Sequence, residues 1–442
     1  MIGCIEDALF GWKAGQKLWK RPLMRYLTGR WDPLLLRPGE PQFPAGLKTL
    51  GLYLHVPFCR KLCPYCPYNR VPYDEALYRT FERGAHEEID LQAAALREEG
   101  RTRPRITTLY VGGGTPTVDP QGLCRVLKHL QEAFGPAGDI CVELHPGAMD
   151  DACLDGLELA GATMVSIGVE SLSDRLLKAI GRSHDAKAAE NGVRRAAARG
   201  FGSVNVDLMF ALPGQTPEEL DSDLRRILAL DIQQLSTYPM FGFPYTELGR
   251  KRGLAEITRP DARRIRKMLR IIADRCREAG LERCAVWSFL KPGRKKFSSV
   301  TRHHYLGLGP SAASMTGAQF RVNTFSVTEY GRALPGRLPV ALTLPFERSL
   351  EMAYWLYWRI YEMAIPREEF HGLFGVDLET VYGGFLAALR LGGMARRDNG
   401  AYRITEKGVY WIHRLQNEYS LNYIDRLWGL CRREPWPEKA RL

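Results

Sequence analysis

The sequence predicts an α/β fold that is built as a partial, open barrel of about six parallel strands. From residue 50 to about residue 310, short apolar strands alternate with helical segments, and this alternation favours parallel pairing through right-handed crossovers. Several of these strands end in Gly, Pro, Glu or Asp, which is typical of barrels that place their chemistry at the carboxyl ends of the strands. A complete eight-stranded barrel is not visible in the sequence.

The elements of this barrel follow from local patterns along the chain. The predicted strands begin with the apolar segments 50–56, 106–114 and 139–146 and continue with 164–171, 203–214 and 234–240. The predicted helices are 75–97, 121–134, 172–180, 186–199, 217–228 and 260–279. We therefore assign residues 49–335 to the barrel.

Composition bounds the class of protein. The chain has 442 residues, of which 45% are apolar and 25% charged, as in soluble globular proteins. It has no uncharged apolar run of about 18 residues and no signal peptide, so we expect a cytoplasmic, reducing location. The net charge is +12, but the basic residues are spread out and are not interleaved with aromatic residues. We therefore expect no nucleic-acid partner.

Two further regions flank the barrel. Residues 1–48 form an extension in which "FGWKAGQKLWKRPLMRYLTGRW" predicts a basic amphipathic helix, broken near Pro22. We favour packing of this helix on the main domain, and the alternative is peripheral contact with a membrane. Residues 336–442 begin in a linker-like stretch, "LPGRLPVALTLP". They continue as helices and a hairpin with its turn at Asn399–Gly400, which resembles a winged helix.

Three of the ten cysteines lie within eight residues, in "HVPFCRKLCPYCPYNR". Cys59, Cys63 and Cys66 are too few for a closed zinc site, and no second CxxC or HxxxH pair follows. A 4Fe–4S cluster has four iron corners, and three thiolates on one loop would hold three of them. The fourth iron would then be free to bind a small molecule that offers an amine and a carboxylate. A structural zinc loop is the alternative.

Polar and glycine-rich segments follow the cysteine loop at successive strand ends. "YVGGGTPT" allows the backbone to approach a ligand closely. "VELHP" supplies Glu143, "SIGVESLSDRLLKAIGRSH" supplies Glu170 and Arg182, and "NVDLMFALPGQT" supplies Asp207. Each could be a helix cap or a surface charge, but as a series they predict the lining of one pocket.

CxxxCxxC with the aromatic residue Tyr65 beside the third cysteine resembles the signature of radical S-adenosylmethionine (SAM) enzymes. The segments "LPGQT", "SIGVES" and "IGRSH" resemble the oxygen-independent coproporphyrinogen III dehydrogenase branch, from about Gly51 to Tyr330. The resemblance implies a 4Fe–4S cluster on Cys59, Cys63 and Cys66, reductive cleavage of SAM to a 5′-deoxyadenosyl radical, and a one-electron donor such as flavodoxin or ferredoxin. It also implies a second SAM molecule beside the first.

The resemblance further implies which residues contact these molecules. Those matching the first SAM site are Tyr53, Gly113 and Glu143. Those matching the second are Tyr65, Gly114, Thr115, Glu170, Arg182 and Asp207, and Ala313 matches a late cofactor contact. Glu170 departs from the branch, which commonly has Gln at this position, and the change adds a charge to the site.

Other differences between this sequence and the motifs of the branch distinguish among the functions of its members. The decarboxylating dehydrogenase carries a fourth cysteine two positions after the third, where this chain has Tyr68, and the His-Asn…Tyr-Trp motif of the haem chaperones is missing. We therefore favour an enzyme that uses two SAM molecules to methylate or remodel a planar, conjugated substrate, such as a tetrapyrrole, a quinone-like or an aromatic compound.

Two alternative functions remain. One is a coproporphyrinogen dehydrogenase, whose propionate-binding residues would be Arg294, Lys295, Lys296 and Arg302. The other is a haem-binding protein with His303 and His304 as candidate ligands, although ordinary surface or core histidines are the more common explanation.

Overall fold

The structure is a computed structural model that describes most of the chain. It covers residues 25–29, 33–43, 46–97, 104–250, 262–298, 304–317, 319–334, 336–419 and 423–442. Most of the predicted amphipathic helix of the N-terminal extension lies outside these residues, so both interpretations of it stay predictions. No described helix has the length and apolar character needed to cross a membrane.

Strands and helices alternate through most of the described chain. The strands are β1 (Leu35–Leu36), β2 (Thr49–Val56), β3 (Phe58–Cys59), β4 (Val71–Pro72), β5 (Arg105–Gly113), β6 (Ile140–Leu144), β7 (Met164–Glu170), β8 (Ser203–Phe210), β9 (Gln234–Pro239), β10 (Glu282–Ala285), β11 (Ser288–Leu290), β12 (Tyr305–Leu308), β13 (Ala313–Met315), β14 (Gln319–Asn323), β15 (Val340–Pro345), β16 (Ala364–Pro366), β17 (Ala395–Asp398), β18 (Ala401–Ile404) and β19 (Ala440–Arg441). The helices are α1 (Glu75–Arg97), α2 (Pro120–Phe134), α3 (Asp151–Leu159), α4 (Asp174–Ala179), α5 (Ala186–Ala197), α6 (Pro217–Leu228), α7 (Glu247–Arg250), α8 (Ala262–Glu278), α9 (Val327–Ala333), α10 (Arg348–Tyr361), α11 (Arg367–Phe374), α12 (Leu378–Leu391), α13 (Glu406–Tyr419) and α14 (Asp425–Cys431).

One large sheet organises the molecule. Its strand order is β10-β11-β9-β8-β7-β6-β5-β2-β12-β13-β14-β15. The six predicted strands, β2 and β5 to β9, are all present and pair in parallel, which confirms the predicted α/β partial barrel. The sequence analysis missed β12, which joins β2 as a further parallel strand, and it missed helix α3.

The two faces of this sheet have different roles. In β7, the apolar residues Val165, Ile167 and Val169 are fully buried in the main hydrophobic core. The residues between them, including Ser166 and Glu170, line a cavity on the other face, because successive side chains of a strand point to opposite faces. The outer face is therefore the core under the helices, and the inner face carries the polar groups.

The large sheet continues beyond residue 335, where we predicted that the barrel ends. Val340–Pro345, within the stretch that we interpreted as a linker, is strand β15 and pairs antiparallel with β14. Val340, Leu342 and Leu344 alternate along this segment, and this period of two favours a strand at the sheet edge over an extended linker. Beyond it, β17 and β18 form the expected hairpin, in which Asn399 (φ 32°) and Gly400 (φ 80°) take the left-handed conformations of a tight turn.

Candidate active site

A cavity of about 410 Å³ opens at the carboxyl ends of the parallel strands. Its size suits a small organic molecule. It is lined by the cysteine loop, by the ends of β5 to β9, and by side chains from the region beyond residue 284. The predicted site residues that line it are Cys59, Cys63, Tyr65, Cys66, Gly113, Gly114, Thr115, Glu143, Glu170, Arg182 and Asp207.

The cysteine loop leaves β2 and is closed at its base by a short parallel pair. Phe58 pairs with Val71 and Cys59 with Pro72, and the Phe58 ring packs on the rings of Tyr78 and Phe81. This anchor fixes both ends of the loop, so the three cysteines project into the cavity from one short segment.

The surroundings of the three thiols fit an iron–sulfur cluster. The hydroxyl of Thr115 lies 3.6 Å from the Cys59 sulfur, and the Arg182 guanidinium lies 3.7 Å from that of Cys63. Burial raises the pKa of the Cys66 thiol to about 11, and the guanidinium of Arg70 opposes this rise. Arg70 and Arg182 each have a buried Nε with no hydrogen-bond partner among the described residues. An anionic cluster held by thiolates would place negative charge beside these two guanidinium groups.

The arrangement does not resemble a mononuclear metal site. Within the described part of the chain, no three His, Cys, Asp or Glu side chains are grouped so that they could hold one metal ion. Thiolates of a 4Fe–4S cluster bind separate iron atoms, so a cluster does not require them to converge.

The glycine-rich segment packs directly against the cysteine loop. A Cβ atom at Gly114 would lie 2.5 Å from the Phe58 carbonyl oxygen, so no other residue type fits this position. The Thr115 N–H donates to that same oxygen at 2.7 Å. The Gly113 N–H donates to a Glu143 carboxylate oxygen at 3.1 Å, and the Tyr110 hydroxyl donates to the other oxygen at 2.5 Å. These contacts fix the Glu143 carboxylate close to the loop, and burial raises its pKa.

Glu170 is held in a strained conformation at the end of β7. Its φ is 66°, in the left-handed region that residues other than Gly, Asn and Asp rarely adopt. Its carboxylate accepts a hydrogen bond from the Tyr65 hydroxyl at 3.3 Å and lies 3.9 Å from the Arg182 guanidinium. Burial nevertheless raises the pKa of Glu170. The carboxyl group of Glu170 therefore lines the cavity. At this position, the family branch that the sequence resembles commonly has the amide of Gln.

Asp207 lies on the neighbouring strand, further into the cavity. It accepts hydrogen bonds from Ser166 at 2.8 Å and from Asn205 at 3.0 Å. Burial, with a contribution from the nearby charge of Glu170, raises its pKa to about 8. Asp207 therefore holds its proton over much of the neutral pH range, and a protonated carboxyl can donate a hydrogen bond to a bound ligand.

Aromatic side chains from β9 and from segments after it line a further part of the cavity. We call it the aromatic wall, and its members are Tyr238, Phe241, Phe243, Trp287, Tyr357, Trp358, Tyr361 and Trp428. Helix α14 brings Trp428 to within 5.9 Å of the Tyr68 ring. Beyond that helix, the Arg432 guanidinium donates to the carbonyl oxygens of Pro67 and Tyr68 at 3.4 Å. The C-terminal region therefore covers the cysteine loop and completes the cavity.

Some predicted residues lie outside the cavity lining. The Tyr53 hydroxyl bonds with His55 Nδ1 at 2.8 Å, and its ring lies behind Tyr110, with centroids 6.0 Å apart. Ala313 lies on β13, two strands away from β2. His303 and Arg302 lie outside the described residues, and His304 does not line the cavity.

The sequence analysis missed several residues of the cavity. Ser166 and Asn205 lie two positions before Gly168 and Asp207 on the same strands, so the two-residue period could have identified them. His145 also lines the cavity. Burial, together with the Arg182 charge, lowers its pKa to about 3, so it is neutral at physiological pH. The sequence did not identify the aromatic wall. Its members come from separate strands, loops and helices, and sequence patterns do not show how these segments pack around the cavity.

Comparison with known proteins agrees with this geometry. The model of the radical SAM superfamily matches residues 53–227. The haem chaperone HemW of Bacillus subtilis is 26% identical over 374 residues, which are 80% of this chain and 95% of that protein. The oxygen-independent coproporphyrinogen III oxidase of Paracoccus denitrificans is 32% identical over 219 residues, 47% of each chain. The solved structure of coproporphyrinogen III oxidase (HemN) from Escherichia coli superposes with a TM-score of 0.71 at 22% identity, over 87% of this chain and 90% of that one, and shares the fold.

The family match covers the segment that supplies the three cysteines, the glycine-rich loop and the polar strand ends. The radical SAM superfamily implies a 4Fe–4S cluster and SAM as cofactors. The chain therefore contains a radical SAM domain, and its homologues are the haem chaperone HemW and the oxygen-independent coproporphyrinogen III oxidases.

Proposed function

We propose that this protein is a radical SAM enzyme that methylates or remodels a planar, conjugated substrate with the help of two SAM molecules. The observation that carries the proposal is that one cavity joins three thiols, a series of polar strand ends and an aromatic wall. Thiols and polar groups suit the cofactors, and the aromatic wall suits a flat substrate.

Cys59, Cys63 and Cys66 would hold the 4Fe–4S cluster. When bound, the cluster supplies the electron that cleaves SAM to methionine and a 5′-deoxyadenosyl radical. We expect the electron to come from a small donor protein such as flavodoxin or ferredoxin. The aromatic wall and helix α14 cover part of the cavity, which would help to protect a carbon-centred radical from side reactions.

The first SAM molecule would contact the glycine-rich loop. Gly113 lies beside the Glu143 carboxylate, whose oxygens can accept hydrogen bonds from an ammonium or a ribose group. The second molecule would lie towards Glu170, Arg182 and Asp207. In this position the Arg182 guanidinium can bind a carboxylate, and the Glu170 and Asp207 carboxyls can bond with ribose hydroxyls.

The charges around the cavity affect how well an acidic substrate could bind. Lys295 pairs with Asp139 at 2.7 Å, away from the cavity, and Lys296 pairs with Glu362 at 2.8 Å. Among the described candidates for binding propionates, only Lys296 lines the cavity. Glu143 and Glu170 line the same cavity beside Lys61, Arg70 and Arg182, so a tetracarboxylate such as coproporphyrinogen would meet repulsion as well as attraction.

Decarboxylation of coproporphyrinogen remains the alternative enzymatic function, because homologues bear that activity in their names. A haem-binding chaperone function is the alternative of another class. Neither homologous group is named as a methyltransferase, so methyl transfer depends on the predicted second SAM site and on the departures in the sequence.

The test is anaerobic reconstitution with iron, sulfide, SAM and dithionite, followed by mass spectrometry of the products. We expect 5′-deoxyadenosine without added substrate and, when a conjugated substrate is supplied, S-adenosylhomocysteine as well. Carbon dioxide from coproporphyrinogen without S-adenosylhomocysteine would instead assign the decarboxylase. Haem binding without any 5′-deoxyadenosine would assign the chaperone function.

A further inference from the structure

Trp358 of the aromatic wall and Gln416, which also lines the cavity, each carry a buried polar atom without a partner among the described residues. Gln416 is 3% exposed and lines the cavity, and its Oε1 has no hydrogen-bond partner among the residues that the structure describes. The indole Nε1 of Trp358, which also lines the cavity, is buried and unpaired in the same part of the chain. A buried acceptor and a buried donor without partners are costly unless a ligand satisfies them.

These two atoms belong to one continuous surface. Trp358 contacts Tyr361 with ring centroids 5.9 Å apart, and Tyr361 contacts Trp287 at the same separation. The Trp287 Nε1 donates to His413 Nδ1 at 3.2 Å. Gln416 follows His413 by three positions on α13, so the two side chains lie on the same helix face. The unpaired groups therefore border one aromatic surface.

This part of the cavity carries little free charge. Lys296 pairs with Glu362 at 2.8 Å, and Arg359 pairs with the same carboxylate at 2.9 Å. Trp287 is paired through its indole N–H. A ligand on this surface therefore meets flat aromatic rings, one hydrogen-bond acceptor and one donor.

From this geometry we infer that Gln416 and Trp358 select an uncharged, planar heteroaromatic substrate that carries an N–H or O–H donor and a carbonyl or similar acceptor. Gln416 accepts from the donor, and Trp358 donates to the acceptor. The inference rests on the proposed function, because it gives chemical identity to the substrate of that same cavity.

The test uses reconstituted, SAM-loaded protein and three probes in isothermal titration calorimetry. The first, quinolin-2-one, is a planar lactam with an N–H and a carbonyl. The second is N-methylquinolin-2-one, which keeps only the carbonyl. The third, 2-naphthoate, is a planar anion. We expect wild-type protein to bind quinolin-2-one about tenfold more tightly than the N-methyl compound, because one well-placed hydrogen bond in a dry site has about this effect.

Two variants separate the contacts. Gln416→Met keeps the side-chain volume and should abolish the discrimination between the two quinolinones. Trp358→Phe keeps an aromatic ring and should weaken both quinolinones by about three- to tenfold, with their ratio unchanged. Either variant tests the inference if the other fails to fold. The matched controls are Gln121→Leu, at an exposed position, and Trp436→Phe, whose indole N–H donates to Glu329 instead, and both should bind like wild type.

The inference is overturned if quinolin-2-one does not bind, if 2-naphthoate binds as tightly, or if Gln416→Met leaves the ratio unchanged. The same preparations are assayed for 5′-deoxyadenosine. If this product forms and lactam discrimination is absent, the inference fails and the proposed enzyme stands. If the protein discriminates between the two quinolinones but forms no 5′-deoxyadenosine, the inference about the substrate surface is supported and the proposed radical SAM activity is contradicted.

Discussion

The two sides of the cavity differ in how they are built. The strand-end side carries Glu143, Glu170 and Asp207 on parallel strands and Arg182 just after helix α4, and each group is held by hydrogen bonds or an ion pair with its neighbours. The aromatic wall comes from several separate segments. The buried Nε1 of its member Trp358 and the Oε1 of Gln416, which also lines the cavity, have no hydrogen-bond partner within the described parts of the chain. Under the proposed function, the strand ends would bind the cofactors and the aromatic wall would bind the substrate.

The largest effect should come from the cysteine loop on the strand-end side. Replacing Cys59, Cys63 or Cys66 by Ala should remove most of the bound iron and lower 5′-deoxyadenosine formation by at least about 100-fold, because a cluster cannot be held without its thiolates. Iron analysis and product mass spectrometry measure both quantities. Cys124→Ala is the matched control, since that thiol lies on α2 and donates to the Gly156 carbonyl at 3.4 Å. Full iron content in the loop variants would contradict the assignment.

The next effect concerns the buried ion pair of Arg182 and Glu170. Arg182→Met should lower the free energy of unfolding by about 3–5 kcal/mol, because it leaves a buried carboxyl without its cation, and it should weaken SAM binding. The double variant Arg182→Met/Glu170→Gln should regain part of the lost stability. Denaturant unfolding measures this coupling.

A surface ion pair is the control for that comparison. Arg175 pairs with Glu219 at 2.6 Å, and the Arg175 side chain is 57% exposed. Arg175→Met should therefore cost no more than about 1 kcal/mol. If Arg182→Met and Arg175→Met lowered the free energy of unfolding equally, burial of the Arg182–Glu170 pair would not contribute to its effect on stability.

A smaller effect should appear in the pH dependence of stability. Asp207 has a folded-state pKa of about 8, above its ordinary value of 3.8, so the folded protein keeps a proton that the unfolded chain loses between these values. Stability contributed by this group therefore falls as the pH rises from about 4 to about 8. Asp207→Asn should flatten this fall, and each 1 kcal/mol of the change would appear as a shift of about 2–4 °C in the thermal midpoint. The measurement is the thermal midpoint of cluster-free wild type and of Asp207→Asn between pH 5 and 8. Midpoints that change equally with pH in both proteins would contradict the prediction.

The smallest effect should arise where the C-terminal region covers the cysteine loop. Arg432→Met removes two hydrogen bonds of 3.4 Å to the loop carbonyls, so we expect the cluster to be lost in air at most about threefold faster, because bonds of that length are weak. Decay of the cluster absorbance measures the rate. Arg433→Met, at the adjacent exposed position, should match wild type, and an equal acceleration in both variants would contradict a specific contact.

The sequence anticipated one side of the cavity better than the other. Cys59, Glu143, Glu170 and Asp207 follow or end neighbouring strands, and parallel strands bring such positions to one edge. Ser166 and Asn205 were missed, although the strand period could have identified them. Gln416 and Trp358 could not be predicted, because their place depends on how helices far along the chain pack over the barrel.

The central claim is that three thiols hold a cluster with one iron left for SAM. Mössbauer spectroscopy of ⁵⁷Fe-reconstituted, anaerobic protein, with and without SAM, tests it most directly. We expect a 4Fe–4S spectrum in which one iron site changes when SAM is added, while the other three do not. The absence of a 4Fe–4S cluster, or a cluster whose iron sites are all unaffected by SAM, would contradict the account.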